Sequence, residues 1–134
     1  MTINYLTVLL AAVASMVLGF LWYGPVFGKA WMRLSGKTME DMKGGKNEMM
    51  RGYVLGFLAS AVMAFILAFF AKTLGVADIR QAFTLSALVW IGFFATSSLS
   101  GVLWEKQPWS LYFLNIAYQF VNVFVMTAIV TLWA

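Results

Sequence analysis

Four long stretches of this chain contain no charged residue, and they constrain its fold more than any other feature. They cover residues 1–28, 52–71, 81–104 and 107–134, each at least 20 residues long. About 20 helical residues rise about 30 Å, which is the thickness of the hydrocarbon core of a bilayer. The sequence therefore predicts an all-α integral membrane bundle of four transmembrane helices with antiparallel up-down topology. We expect one domain, 1–134, with spans at about 3–27, 52–74, 79–104 and 108–133.

Composition excludes several classes of function. Only 10% of the 134 residues are charged and 63% are hydrophobic, whereas about 25% of a soluble domain is charged. The net charge of +4 does not indicate nucleic-acid binding, because the basic residues lie beside the spans and form no stripe on a folded domain. Without Cys or His, the chain lacks thiol nucleophiles and the commonest zinc ligands and general bases. We therefore expect no enzyme, no cofactor and no metal site.

The first span could be confused with a cleaved signal peptide. Its first six residues carry no Lys or Arg, and Trp22, Tyr23 and Pro25 stand where small cleavage-site residues would be expected. Its apolar run also exceeds the usual 7–15 residues. We expect this span to be a retained transmembrane helix.

The distribution of basic residues predicts the orientation. Seven of the nine lie in the first and third connections and two in the second, namely Lys29, Arg33, Lys37, Lys43, Lys46, Arg51 and Lys106 against Lys72 and Arg80. Basic residues accumulate in cytoplasmic loops. This predicts a bacterial cytoplasmic (inner) membrane protein with loop 29–51 in the cytoplasm and both termini outside. The loop is expected to contact anionic lipid head groups.

Loop 29–51 contains two local patterns. Thr38 and Asp41 fit a capping box, which predicts a short helix at 39–43. Five of the nine methionines also lie in loop 29–51: Met32, Met39, Met42, Met49 and Met50. Clustered thioethers can bind Cu(I), but flexible apolar packing on an interfacial helix is the interpretation we prefer.

The second span carries a packing pattern of small residues at every fourth position, Gly52, Gly56, Ser60, Ala64 and Ala68. Such a face lets a neighbouring helix approach closely within a membrane. Shorter stripes occur on the first span, at Ala11, Ser15 and Gly19, and on the third, at Gly92, Thr96 and Ser100. The face indicates packing within the chain, with self-association into a homo-oligomer as the alternative.

Polar residues inside the spans form the first candidate site. The fourth span has Asn115, Tyr118, Gln119 and Asn122 close to one face, and the third has Thr96, Ser97 and Ser98 at a similar depth. Polar groups in a membrane need partners, so we expect a hydrogen-bonded seam between these two spans. The alternative is a pathway for water or a polar substrate.

A second candidate cluster lies at the predicted inner interface. It comprises Trp22, Tyr23, Lys29, Trp31, Trp104, Glu105 and Trp109. Pro25 should end or bend the first helix there. Glu105 is expected to pair with Lys29 or Lys106, or to accept a hydrogen bond from Tyr23 or Trp22. The motif G-x-L-W at 19–22 and 101–104 also raises the possibility of two symmetry-related hairpins.

The exit of the first span, with Trp22, Tyr23, Gly24 and Pro25 followed by Lys29 and Trp31, resembles the bacterial domain of unknown function 1761 family. The likeness extends to the Leu114-Asn115 and Tyr118-Gln119 pairs of the last span and covers nearly the whole chain. The resemblance implies a small four-span membrane protein with no assigned activity.

Three classes of function fit these patterns. The preferred one is a non-enzymatic structural, accessory or self-associating membrane component, with lipid and a larger membrane protein or further copies of the chain as partners. The alternative is a small oligomeric transporter or channel that uses the polar face of the fourth span. A third class, an enzyme acting on lipid at the inner interface, would rest on Glu105 and the tryptophans alone.

Overall fold

The computed structural model describes residues 3–36 and 46–133, and these residues form helices and turns without any strand. Helix α1 (Tyr5–Leu21) continues into a π-helical turn (Trp22–Val26) and is followed by the short helix α2 (Gly28–Ser35). The longest helix is α3 (Lys46–Thr73). Helix α4 (Ile79–Leu103) contains a second π-helical segment, Trp90–Ala95, and α5 covers Trp109–Leu132.

The prediction of four long apolar helices is confirmed, because four helices are long and apolar enough to cross a membrane. They extend over Tyr5–Val26, Asn47–Thr73, Ile79–Leu103 and Trp109–Leu132. Large apolar side chains point outward along them, among them Leu6, Val62, Leu88 and Phe93, each more than 60% exposed. Such an apolar surface suits lipid and does not suit water. The chain is thus a multi-pass membrane protein by helix length and composition.

Local side-chain bonds determine where two of the spans begin. Asn4 caps α1, because its Oδ1 accepts hydrogen bonds from the backbone N–H groups of Leu6 and Thr7. Asp78 caps α4 by accepting from the N–H of Gln81 at 2.8 Å, while Gln81 Oε1 accepts from the N–H of Ala77 at 2.8 Å. These bonds satisfy N–H groups that a helix leaves unpaired at its start.

The protein core lies between α1, α3 and α5. Its buried side chains are mostly small or branched: Val8, Ala11, Ala64, Leu67, Ala68, Val123, Met126 and Val130. Small residues allow the helix backbones to approach closely, and van der Waals contact then holds helices together in lipid. Helix α4 packs chiefly along α5. The core is therefore built by three helices, with α4 added on one side of α5.

This arrangement does not match two symmetry-related hairpins. A symmetry axis exchanging the hairpins would exchange the α1–α5 contact with an α3–α4 contact. Helix α1 packs extensively on α5, but α3 and α4 share no comparable contact. The G-x-L-W motif at 19–22 and 101–104 is therefore better explained by similar interfacial anchoring at two helix ends.

The first span bends at the predicted place. Gly24 has non-helical backbone angles, Pro25 lies within the π-helical turn, and the N–H of Phe27 donates to the carbonyl oxygen of Trp22 at 2.8 Å. A Cβ at position 28 would lie only 2.7 Å from the backbone oxygen of Tyr23. Only glycine therefore fits at this first residue of α2 without displacing the backbone.

Helix α2 has one exposed basic face and one half-buried face. Lys29 and Arg33 are exposed, whereas Trp31, Met32 and Leu34 are partly covered. This division is typical of a helix that lies along a membrane surface. The short helix predicted at 39–43, with Met39 and Met42, lies outside the described residues.

Candidate functional site

A hydrogen bond inside the bundle joins the end of α1 to the beginning of α5. Tyr23 Oη donates to Asn115 Oδ1 at 2.8 Å, and both residues are partly buried. Asn115 belongs to the predicted polar seam and Tyr23 to the predicted interface cluster. The structure therefore joins two candidate sites that were predicted separately. The bend at Gly24 and Pro25 lies immediately after Tyr23 and directs the chain into α2.

Aromatic rings surround this hydrogen bond. The ring of Tyr23 meets the ring of Tyr118 at 5.1 Å and that of Trp31 at 6.0 Å, both edge to face. The ring of Trp22 lies 6.0 Å from Tyr118. Gly19 makes room for Tyr118, because a Cβ at position 19 would lie 3.0 Å from the phenol oxygen. We call Trp22, Tyr23, Trp31, Asn115 and Tyr118 the tyrosine–asparagine cluster.

A second polar contact lies deeper in the bundle, between α1 and α3. Ser15 Oγ and Ser60 Oγ are 3.3 Å apart. Both serines belong to the predicted stripes of small residues.

The predicted packing face of α3 lies largely within the protein. Ala64 and Ala68 are buried, and a Cβ on Gly56 would contact Met16 at 3.7 Å. Gly52, at the end of the face, has no atom near its missing Cβ. The stripe of the third span differs, since Gly92, Thr96 and Ser100 are exposed.

The predicted seam between α4 and α5 is not formed by the residues we expected. Thr96 Oγ1 donates to the carbonyl oxygen of Gly92 at 2.8 Å, and Ser97 Oγ bonds to that of Phe93, both within α4. Short hydroxyl groups reach the carbonyl four residues back more easily than a neighbouring helix. Ser98 has no hydrogen bond through its side chain to any described residue.

Two large side chains, which sequence reasoning missed as partners, connect α4 and α5 instead. Trp90 Nε1 donates to the carbonyl oxygen of Ile116 at 2.7 Å, and Tyr112 Oη donates to that of Ala95 at 2.6 Å. An indole and a phenol are long enough to cross between helices while keeping an apolar body in the membrane. Trp90 could have been singled out as a tryptophan in mid-span, far from either predicted interface.

The remaining polar groups of α5 have no such partners among the described residues. Gln119 is half-buried and makes no side-chain hydrogen bond there. The oxygen atoms Asn122 Oδ1, Thr127 Oγ1 and Thr131 Oγ1 are buried without a hydrogen bond. Of the three amides predicted on one face, the structure thus pairs only Asn115.

The residues of the predicted interface cluster fall into two groups, one packed inside the protein and one exposed on its surface. Trp22, Tyr23 and Trp31 belong to the tyrosine–asparagine cluster. Trp104 is 82% exposed and Trp109 is 54% exposed, which suits a position among lipid head groups.

Glu105 does not have the partners that the sequence suggested. It forms no ion pair with Lys29, Lys106 or any other described residue. Tyr23 donates to Asn115 instead, and Trp22 Nε1 is buried without a hydrogen bond. The carboxylate of Glu105 therefore stays uncompensated by the described part of the chain.

A cavity of about 390 Å³ lies beside the tyrosine–asparagine cluster, between α2 and the α4–α5 turn. Its lining comprises Trp31, Leu34, Ser35, Glu105, Lys106, Gln107, Pro108, Leu111 and Asn115. Sequence reasoning did not identify Ser35 or Gln107 as part of a site. The available signal was the run of polar residues Glu105, Lys106 and Gln107 between two long spans.

Comparison with known proteins identifies the family of this chain. The family model described as "Protein of unknown function (DUF1761)" matches residues 6–131, nearly the whole chain. No curated protein and no solved structure matches. The chain belongs to the DUF1761 family.

Proposed function

We propose that this member of the DUF1761 family is a non-enzymatic structural or accessory component of a bacterial cytoplasmic membrane. The observation that carries the proposal is the use of interior polar groups as links between helices. Tyr23 and Asn115 connect α1 to α5, and Ser15 and Ser60 connect α1 to α3. The oxygen atoms that form these bonds between helices are not available to a passing solute.

The packing supports the same role. Ala11, Ala64 and Val123 are fully buried where α1, α3 and α5 meet. Close contact of small side chains leaves little space for a continuous aqueous route. Helices α3 and α4 present apolar faces to the outside, and these faces are available to lipid, to a larger membrane protein or to another copy of the chain.

In this proposal the spans alternate in direction, and both termini are outside the cell. One contact supports placing the start of α1 and the end of α5 on the same side, because Thr7 Oγ1 donates to the carbonyl oxygen of Trp133 at 2.7 Å. The choice of the outer side rests on the distribution of basic residues. Loop 29–51 then faces the cytoplasm, where its basic residues meet anionic head groups.

Thiol labelling tests the structural role. The natural chain has no cysteine, so a single Cys variant reports one position. We expect Ser15→Cys and Asn122→Cys to resist a water-soluble thiol reagent in membranes, because the thiolate that reacts needs water. Lys29→Cys, at an exposed position, should react and serves as the positive control. Val13→Cys, at a lipid-facing position, should resist.

A small transporter or channel is the second candidate. The observation that favours it is the set of unpaired buried oxygen atoms on α5, at Asn122, Thr127 and Thr131. In a transporter these atoms would meet water or a solute at some stage of the cycle. Rapid labelling of Asn122→Cys, with Val13→Cys still unreactive, would favour transport and contradict the structural proposal.

A further inference from the structure

The cavity between α2 and the α4–α5 turn is assembled from three separate parts of the chain. Helix α2 contributes Trp31, Leu34 and Ser35, the turn contributes residues 105–108, and α5 contributes Leu111 and Asn115. Its volume of about 390 Å³ falls within the range of about 300–1,000 Å³ that is common for small-molecule sites. The cavity is therefore large enough to hold a polar head group.

Two opposite charges line this cavity next to each other. Glu105 and Lys106 are consecutive residues, and neither forms an ion pair with a described residue. Lys106 has a positive φ of 57°, which is uncommon for a residue other than glycine. The turn is held by a hydrogen bond from the N–H of Gln107 to the carbonyl oxygen of Gly101, at 3.0 Å.

Asn115 supplies a further polar group to the wall of the cavity. Its Oδ1 accepts from Tyr23, so its amide nitrogen remains as the side chain's donor. This nitrogen has no hydrogen bond to a described residue. The cavity thus offers one carboxylate, one ammonium group and one amide donor. Together they complement a ligand that carries a cation and an anion.

The position of the cavity further limits the chemical class of ligand that can bind. Trp109 and Trp104 are exposed beside it, and exposed tryptophans in membrane proteins concentrate at the level of the lipid head groups. Leu34, Pro108 and Leu111 provide apolar walls. A ligand with a zwitterionic head and an apolar continuation fits these walls better than a small soluble ion.

We propose that this cavity binds a phospholipid whose head group carries both a phosphate and a primary ammonium group. Lys106 and the Asn115 amide bind the phosphate, and Glu105 accepts hydrogen bonds from the ammonium group. A quaternary ammonium group has no N–H to donate to Glu105. A head group with only a negative charge is repelled by Glu105. The site therefore selects one class of lipid.

Lipid retention by the purified full chain tests this assignment. The chain in detergent micelles is incubated with short-chain phosphatidylethanolamine, phosphatidylcholine or phosphatidylglycerol, and bound lipid is counted by native mass spectrometry. We expect phosphatidylethanolamine to bind about fivefold more tightly than the other two, as one partly exposed ion pair allows. Inorganic phosphate is the additional probe and should not displace the lipid.

Substitutions then test the role of each charged residue in lipid binding. Glu105→Gln should remove the preference for phosphatidylethanolamine. Lys106→Gln should weaken the binding of all three lipids, because each carries the phosphate. Glu48→Gln and Lys72→Gln make the same chemical changes at exposed positions outside the cavity and should leave binding unchanged. Thermal unfolding of each variant establishes that it is folded.

Three results would overturn the proposal. Equal retention of the three lipids by the natural chain would show that the site is not selective. This comparison does not depend on the folding of any variant. A preference that survives Glu105→Gln would remove the role of the carboxylate. Displacement of lipid by inorganic phosphate would identify a site for a free anion in place of a lipid site.

Discussion

Tyr23 connects three helices through a single side chain. Its hydroxyl group donates to Asn115 on α5, and its ring contacts Tyr118 on α5 and Trp31 on α2. The ring provides apolar contact, whereas the hydroxyl provides a directional hydrogen bond to Asn115 Oδ1. The hydroxyl can therefore be removed while the ring contacts are kept.

Tyr23→Phe tests the contribution of this hydroxyl. We expect the free energy of unfolding in mixed micelles to fall by about 0.6 kcal/mol, and by at most about 2 kcal/mol, which is the range for hydrogen bonds between membrane helices. The loss arises because Asn115 Oδ1 is left without its donor. Denaturant titration followed by circular dichroism measures the change.

Tyr53→Phe is the matched control, because Tyr53 is 54% exposed and has no hydrogen bond through its side chain to a described residue. Its stability should not change. In a double-mutant cycle, Asn115→Leu should cost little more when Tyr23→Phe is already present. Additive losses from the two substitutions would mean that the pair does not act as a unit.

At the scale of the element, the bend between α1 and α2 brings Tyr23 and Trp31 together in the tyrosine–asparagine cluster. The bend needs a close approach between the backbone of Tyr23 and the first residue of α2. A Cβ on residue 28 would lie 2.7 Å from the backbone oxygen of Tyr23. This backbone atom cannot move away by rotation, as the end of a flexible side chain can. Position 28 is therefore the most sensitive glycine of the bend.

Gly28→Ala should lower the free energy of unfolding by about 1–3 kcal/mol, the usual cost of overpacking a close contact. It should also shift the wavelength of tryptophan fluorescence emission, because displacement of α2 would break the edge-to-face contact between Trp31 and Tyr23. Thermal unfolding and tryptophan fluorescence measure the two effects. Gly52→Ala is the control, since no described residue lies within 4 Å of a Cβ at that position and alanine favours the helix by up to about 1 kcal/mol. Equal stability of the two variants would contradict the prediction.

The elements also show what the sequence could predict. The spans follow from the uncharged stretches, and the bend follows from Pro25. The neighbours of Thr96 and Ser97 could not be predicted, because Thr and Ser residues occur on several sides of α4 and its pattern does not indicate which face meets protein. The lack of a described ion-pair partner for Glu105 could not be predicted either, because it depends on the path of α2 after the bend, which a local motif does not determine. Trp90 and Tyr112 became visible as links only once α4 lay beside α5.

At the scale of the whole molecule, charge is divided between the two ends of the bundle. Lys29, Arg33 and Lys106 lie at the end where α1 finishes and α5 begins, whereas Lys72 and Arg80 lie at the end that holds the start of α1. Charge asymmetry of this kind determines how a membrane protein inserts. The proposed orientation therefore predicts which end reacts with a reagent outside the cell.

Arg80→Cys and Arg33→Cys, each the single cysteine of its chain, distinguish the two ends. In intact spheroplasts an impermeant maleimide should label Arg80→Cys within minutes and leave Arg33→Cys unlabelled until the membrane is permeabilised. Val62→Cys, 63% exposed but in mid-span, should stay unlabelled in both conditions, because lipid and not water covers it. Labelling of Arg33→Cys in intact spheroplasts would contradict the proposed orientation and indicate the opposite one. It would then place the proposed phospholipid site in the outer leaflet, since Arg33 and the cavity residue Trp31 belong to the same short helix.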